Sequence, residues 1–237
     1  MKNLIVANWK MNPSTQKEAK EIFSAYGGPA SGWDENNAEV VVCPPFVYLS
    51  LLNGLTLGAQ GVYSEEKGAF TGAISATMLK DLGVEYVIIG HSERRKYFHE
   101  TDESVNKKIK ISLQAGLKVI LCIGETTEER ETGKKNEVLE RQIKKGLESV
   151  EDLSNINVAY EPVWAIGTGN NCSIEETKES IDFIKKFVPE NTRILYGGSV
   201  KSENSEDYIK KSGANGLLVG GASLDPEEFI KIVRSAN

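Results

Sequence analysis

The chain has 237 residues, a formal net charge of −6, 40% hydrophobic residues and 26% charged ones. This is the make-up of an ordinary globular protein with room for a sizeable core, and its acidic balance argues against a general nucleic-acid binder, which needs cationic surface. The three cysteines, Cys43, Cys122 and Cys172, are odd in number and form no C-x-x-C pair, which argues against a disulfide framework or a structural zinc site and fits a reducing compartment.

The first apolar run, Leu4-Ile5-Val6-Ala7, is too short for a signal sequence, and no stretch approaches the length of a transmembrane helix. A cytoplasmic protein, not bound to membrane, is expected. An anionic small molecule stays possible, because local cations and backbone N–H groups can bind one inside an acidic protein.

Along the chain, short apolar runs alternate with helical segments. The runs cover residues 4–8, 40–43, 55–59, 86–89, 119–123, 158–160, 193–196 and 216–219. They are continuous rather than alternating, as expected for parallel strands packed on both faces. Thr15 with Glu18 reads as a capping box before Ala19, Ile22, Phe23 and Tyr26. Shorter segments are expected over 47–52 and 75–82, and a helix over 102–115 with Val105, Ile109 and Leu113 inward. Thr126 with Glu129 opens a long charged segment with a stripe of Leu139, Ile143, Leu147 and Val150. Ser173 with Glu176 starts another, carrying Ile174, Thr177, Ile181, Ile184 and Val188. Asp225-Pro226-Glu227-Glu228 supplies an N-cap, a proline at the first helical position and an early glutamate.

Eight strands alternating with helices predict an α/β fold, a single (β/α)8 barrel spanning residues 1–237. A doubly wound open sheet is the alternative. No linker or low-complexity stretch marks a domain boundary.

In such a barrel, functional groups gather where strands end and the following loops begin. The first strand ends in Asn8-Trp9-Lys10, the fourth in Gly90-His91-Ser92-Glu93 and the sixth in Glu161. Glu161 precedes Pro162 and a small-residue segment, Ala165-Ile166-Gly167-Thr168-Gly169. A carboxylate on a rigid strand end beside a segment able to move suits a general base under a lid. By itself it also suits a solvated strand-end residue before an ordinary loop. Of the two histidines, His99 lies in a charged run and reads as surface, whereas His91 is placed to face Glu161. Gly197-Gly198-Ser199 and Gly220-Gly221-Ala222-Ser223 end the last two strands. Glycine lets backbone N–H groups approach an anion, and Gly221 to Leu224 can start a short helix whose N-terminus favours negative charge. A phosphorylated small molecule is the inference.

These segments resemble the triosephosphate isomerase family along the whole chain. The motifs are Asn8-Trp9-Lys10-Met11-Asn12, Gly90-His91-Ser92-Glu93-Arg94-Arg95, Cys122-Ile123-Gly124-Glu125, the stretch from Ala159 to Gly169, Tyr196-Gly197-Gly198-Ser199-Val200 and Leu218 to Leu224. The resemblance implies interconversion of dihydroxyacetone phosphate and glyceraldehyde 3-phosphate with no cofactor and no metal. It implies Glu161 as the base, His91 as the electrophile that shuttles protons between oxygens, and Lys10 as the cation that stabilises an enediolate. Asn8 is similar to a substrate-contacting asparagine, and Glu93 to a glutamate near the lysine. Gly167, Ser199, Gly220 and Gly221 match positions whose N–H groups hold the phosphate. The family is itself the standard example of a glutamate base working with a neutral histidine, and of a lid that excludes water.

The resemblance further implies a homodimer through the loop around Phe70, Thr71 and Gly72. Two positions of that region depart from the pattern: Ala73 stands where a glutamate that pairs with an arginine across the dimer is usual, and Gly61 where asparagine is common. Asn170-Asn171-Cys172 departs at the far hinge of the lid. Two other readings remain at this level. One is a different phosphosugar isomerase, which the size of the lid argues against. The other is a phosphometabolite-binding scaffold, which has no need of Lys10, His91 and Glu161 together.

Overall fold

The apolar runs form strands because their side chains pack on both sides of one sheet, outward against helices and inward against each other. The structure is a computed structural model that describes residues 1–27, 32, 36–167 and 171–236. The strands are β1 (Asn3–Asn8), β2 (Ala38–Cys43), β3 (Thr56–Ala59), β4 (Tyr86–Ile89), β5 (Lys118–Ile123), β6 (Ile156–Tyr160), β7 (Ile194–Tyr196) and β8 (Gly216–Val219). They close into a parallel barrel in sequence order, with β8 returning to β1. Closure rules out the open doubly wound sheet. The register sets Asn8 beside Cys43, Ile123 beside Tyr160, and Tyr160 beside Tyr196. The residues just beyond these strand ends therefore share one rim.

Alternation along each strand divides the core in two. Leu4, Val6, Val41, Ile88, Ile120, Cys122, Ala159, Leu195 and Leu218 fill the barrel interior. Ile5, Ala7, Val40, Val42, Val87, Val119, Leu121 and Val158 face the helices instead. Full burial of a large aliphatic or aromatic side chain contributes about 1.5–3 kcal/mol, so these layers dominate the stability of the fold.

The helices start where capping chemistry predicts. Thr15 and Glu18 form both bonds of a capping box on α1 (Gln16–Tyr26), which ends at Gly27 with φ +66° and buries Ala19, Phe23 and Tyr26. Ser75 caps α2 (Ala76–Asp81). The next two are α3 (Ser92–Phe98) and α4 (Asp102–Gln114), the latter burying Val105 and Ile109. Ser173 accepts from the N–H of Glu176 at the start of α7 (Ile174–Ile184), and Asp225 from those of Glu227 and Glu228 at the start of α9 (Pro226–Arg234). The segment over 47–52 is a 3-10 helix, Phe46–Leu51.

The long segment expected after Thr126 is two helices, α5 (Thr127–Glu131) and α6 (Lys135–Gly146). Gly133, at φ +72°, makes the left-handed turn between them, and its N–H and that of Lys134 donate back to Arg130 and Glu129 carbonyls. Leu147 then caps α6, so Val150 lies beyond it. The stripe expected to reach Val188 likewise stops early: α7 spans Ile174–Ile184, a 3-10 turn follows, and Val188 is extended. Two helices lie outside the segments expected from the sequence. One is α3, whose only buried residue is Ser92, and the other is α8 (Ser202–Lys211), which buries Ser205 and Tyr208. No helix among the described residues is long and apolar enough to cross a membrane.

Candidate active site

The rim of the barrel collects side chains from five strand ends around a cavity of about 770 Å³. Asn8, Lys10, His91, Glu161, Gly167, Ser199, Gly220 and Gly221 all line it. Of the nine predicted site residues, only Glu93 lies off this wall, one bond behind it. The Glu93 carboxylate accepts from the Lys10 ammonium at 2.6 Å.

Lys10 leaves the barrel in the left-handed region, at φ +55°, which is uncommon for a residue with a side chain. Two groups hold it there. The Lys10 N–H donates to Asn8 Oδ1 at 3.1 Å, and its carbonyl accepts from Gln60 Nε2 at 2.8 Å. The same Gln60 amide nitrogen also donates to the Cys43 carbonyl at 2.9 Å. Gln60 was not among the predicted site residues, although it immediately follows Ala59 at the end of β3, where the strand-end rule applies.

His91 is the N-cap of α3. Its Nδ1 accepts the N–H of Glu93 at 3.2 Å, so the single proton of the neutral ring sits on Nε2. Nε2 lies 3.0 Å from Glu161 Oε1. Both residues are buried, His91 at 6% and Glu161 at 2% exposure. The second carboxylate oxygen of Glu161 accepts the Ser92 N–H at 2.9 Å. No side-chain pattern could have announced that contact, because the donor is backbone.

Burial pushes Glu161 up, but the His91 ring, the Ser92 N–H and the Lys10 ammonium outweigh it and hold the carboxyl below its ordinary range. Burial opposes charge on His91 as well, yet the adjacent Glu161 carboxylate outweighs it and raises the imidazole above its ordinary value.

After Pro162 the chain makes a 3-10 turn, Val163–Ala165, fastened to the end of β5. The Val163 N–H donates to the Glu125 carbonyl at 3.1 Å, and Trp164 Nε1 to Glu125 Oε1 at 2.9 Å. Glu125 is fully buried, and burial raises its carboxyl above the usual range. Ser199 donates to the Ala165 carbonyl at 2.7 Å. The expected lid tip, Thr168 and Gly169, and the hinge residue Asn170 lie outside the described residues. At the far hinge, Tyr208 donates to the Cys172 carbonyl at 2.5 Å and stacks on Tyr196 at 3.8 Å. The Tyr196 hydroxyl is buried without a hydrogen-bond partner among the described residues.

Near the predicted dimer loop, Arg94 is satisfied inside its own chain. It pairs with Glu100 and lies over the Phe98 ring at 4.6 Å, while Lys108 bonds the same Glu100 oxygen at 2.5 Å. Among the described residues, no cluster of three or more His, Cys, Asp or Glu side chains could hold a metal ion.

Residues 3–236 match the family model described as triosephosphate isomerase. A triosephosphate isomerase of Aquifex aeolicus (strain VF5) is 47% identical over 249 aligned positions, covering 99% of this chain and 100% of that protein. One of Alkaliphilus oremlandii (strain OhILAs) is 46% identical over 248 positions, covering 98% of each. The matched span takes in every strand and helix described above, and the chain belongs to the triosephosphate isomerase family.

Proposed function

We propose that the chain interconverts dihydroxyacetone phosphate and glyceraldehyde 3-phosphate through an enediolate, with Glu161 as the base. The observation that carries this reading is the meeting of Glu161, His91 and Lys10 on one cavity, the first two 3.0 Å apart. A proton alpha to a carbonyl is weakly acidic. Its removal needs a desolvated carboxylate and donors beside the oxygens that gain charge. Glu161 takes the proton from one carbon and returns it to the next. The Nε2–H of His91 polarises the carbonyl and passes a proton between the two oxygens. The Lys10 ammonium, oriented by Glu93, stabilises the negative charge, and Asn8 contacts the substrate beside it.

The phosphate lies on the N–H groups of Gly167, Ser199, Gly220 and Gly221. The 3-10 turn Gly221–Leu224 gives that rim a short helical N-terminus. To reach a substrate carbon, Glu161 leaves the Ser92 N–H on which it rests. The segment from Ala165 onward closes over the phosphate, so that the enediolate does not lose phosphate to water. Neither metal nor organic cofactor takes part.

The chain works as one domain in the cytoplasm, and its partner is a second copy of itself. Phe70 at 42% exposure, with Met11, Val47 and Phe98, supplies apolar surface for that contact. With Ala73 in the docking loop and Arg94 already paired to Glu100, the interface rests on apolar burial rather than an ion pair between subunits. The mass in solution, by sedimentation, is that of two chains; a monomer mass overturns this. The reading as a whole is tested by adding purified protein to glyceraldehyde 3-phosphate and following formation of the ketose. Turnover well above background is expected, and its absence favours the phosphometabolite-binding scaffold.

A further inference from the structure

The carboxylate of Glu161 has its partners in the active-site cavity, but its backbone is placed by the neighbouring strand ends. The Glu161 N–H donates to the Ile123 carbonyl at 2.7 Å. A Cβ on Gly124 would lie 1.6 Å from the Glu161 carbonyl oxygen, and one on Gly197 would lie 3.0 Å from its Cγ. Glu161 therefore sits in a slot between two residues that have no side chain. Such a slot is close-fitting but soft, because glycine is the residue whose peptide turns most easily.

One side chain removes that softness on the Gly124 side. Gln142 reaches in from α6 and is 4% exposed. Its Oε1 accepts the Gly124 N–H at 2.8 Å, and its Nε2 donates to the Gly124 carbonyl at 3.3 Å. A single amide thus holds both backbone groups of the residue against which Glu161 rests. Gly124, Gln142, Ser92, Glu161 and Val163 all line a second cavity, of about 490 Å³.

We propose that Gln142 is a positioning residue for the proton transfer. It locks the Gly124 peptide, the locked peptide sets the backbone of Glu161, and that backbone sets the line along which the carboxylate meets the substrate carbon. The inference rests on Glu161 being the base. An amide is the group that does this at every pH, since it offers an acceptor and a donor on one arm. A carboxylate of the same shape offers only acceptors while ionised.

The test compares Gln142→Met, which keeps volume without either bond, with Gln142→Glu, which keeps the acceptor and regains a donor only when protonated. For Gln142→Met, kcat falls about 10- to 100-fold while KM for the phosphate substrate stays near the wild-type value, since a small misplacement of a reacting group costs about that much. For Gln142→Glu, kcat relative to wild type is lowest above neutrality and rises as pH falls and the introduced carboxyl takes up a proton. A merely structural role lowers the melting temperature and leaves both kcat and its pH profile unmoved, which overturns the proposal.

Hydrogen exchange at the Gly124 amide gives a readout independent of turnover. Its protection is lost in Gln142→Met, and retained protection overturns the clamp. A wild-type protein without turnover sinks the assignment of Glu161 instead, and the exchange result still decides whether Gln142 clamps Gly124.

Discussion

Glu161→Gln lowers kcat about 10²- to 10⁴-fold, the range lost with a positioned general base, and leaves binding of a phosphate-bearing competitive inhibitor nearly unchanged. The substitution keeps the volume of a side chain that is 2% exposed, and its amide oxygen still accepts the Ser92 N–H. What it loses is the ability to take up a proton. The phosphate groups proposed here lie at the seventh and eighth strand ends and on the lid, so they do not depend on that carboxylate. Steady-state kcat together with an inhibition constant separates the two effects. Turnover at the wild-type level would remove Glu161 from its role. A joint loss of turnover and inhibitor binding would point to a disturbed pocket rather than a missing base. In the wild-type protein the carboxyl is held below its ordinary 4.5. The acid limb that kcat/KM owes to Glu161 therefore falls below that value.

Arg193→Met lowers the free energy of unfolding by about 3 kcal/mol, as expected when one member of a largely buried ionic network is removed and the others stay. Arg193 lies just before β7, at the end of the barrel opposite the active site. Its guanidinium donates to Glu39 at 2.6 Å, to Asn157 at 2.8 Å and to the Tyr86 hydroxyl at 3.0 Å. Tyr86 in turn donates to Glu39 at 2.5 Å. Met fills much of the space but leaves the Glu39 carboxylate half-buried without its main cation. Burial pushes Glu39 up, but the Arg193 and Tyr86 bonds outweigh it and hold the carboxyl below its ordinary 4.5.

A carboxyl lowered in the folded state stabilises the fold fully above its unfolded value. That contribution is lost as pH falls from about 4.5 through the folded value. Stability of the wild type therefore drops in that window, and Arg193→Met shows a shallower drop from a lower plateau. Urea unfolding at a series of pH values measures both. Coincident curves for the two proteins would dismiss the network. Turnover of the folded variant at neutral pH stays near wild type, because the far end of a barrel strand serves stability rather than chemistry.

Much of this protein is written locally. Short apolar runs such as 4–8 and 119–123 have one stable fate, strands packed on both sides, and their alternation with capped helices leads to the closed barrel. Thr15 with Glu18 and Thr126 with Glu129 cap helices because each box is complete within four residues. Asn8, Lys10, His91 and Glu161 stand out because each ends an apolar run or lies within two residues of its end, where a barrel exposes its polar groups. α8 does not stand out, since Ser202 to Lys211 is polar at nearly every position.

The tertiary structure decided everything that depends on two distant segments meeting. The Ser92 N–H that receives Glu161 is backbone and has no residue type to betray it. Gln60, Gln142 and Arg193 are ordinary polar residues until closure of the barrel buries them against a particular carbonyl or carboxylate. Gly197 is one half of a glycine pair in the sequence, but in the fold it is also the space into which the side chain of Glu161 fits. Sequence patterns report what a residue can do with its near neighbours. Closing eight strands into a ring brings residues 10, 91 and 161 to one rim, and only that closure sets the distances between them.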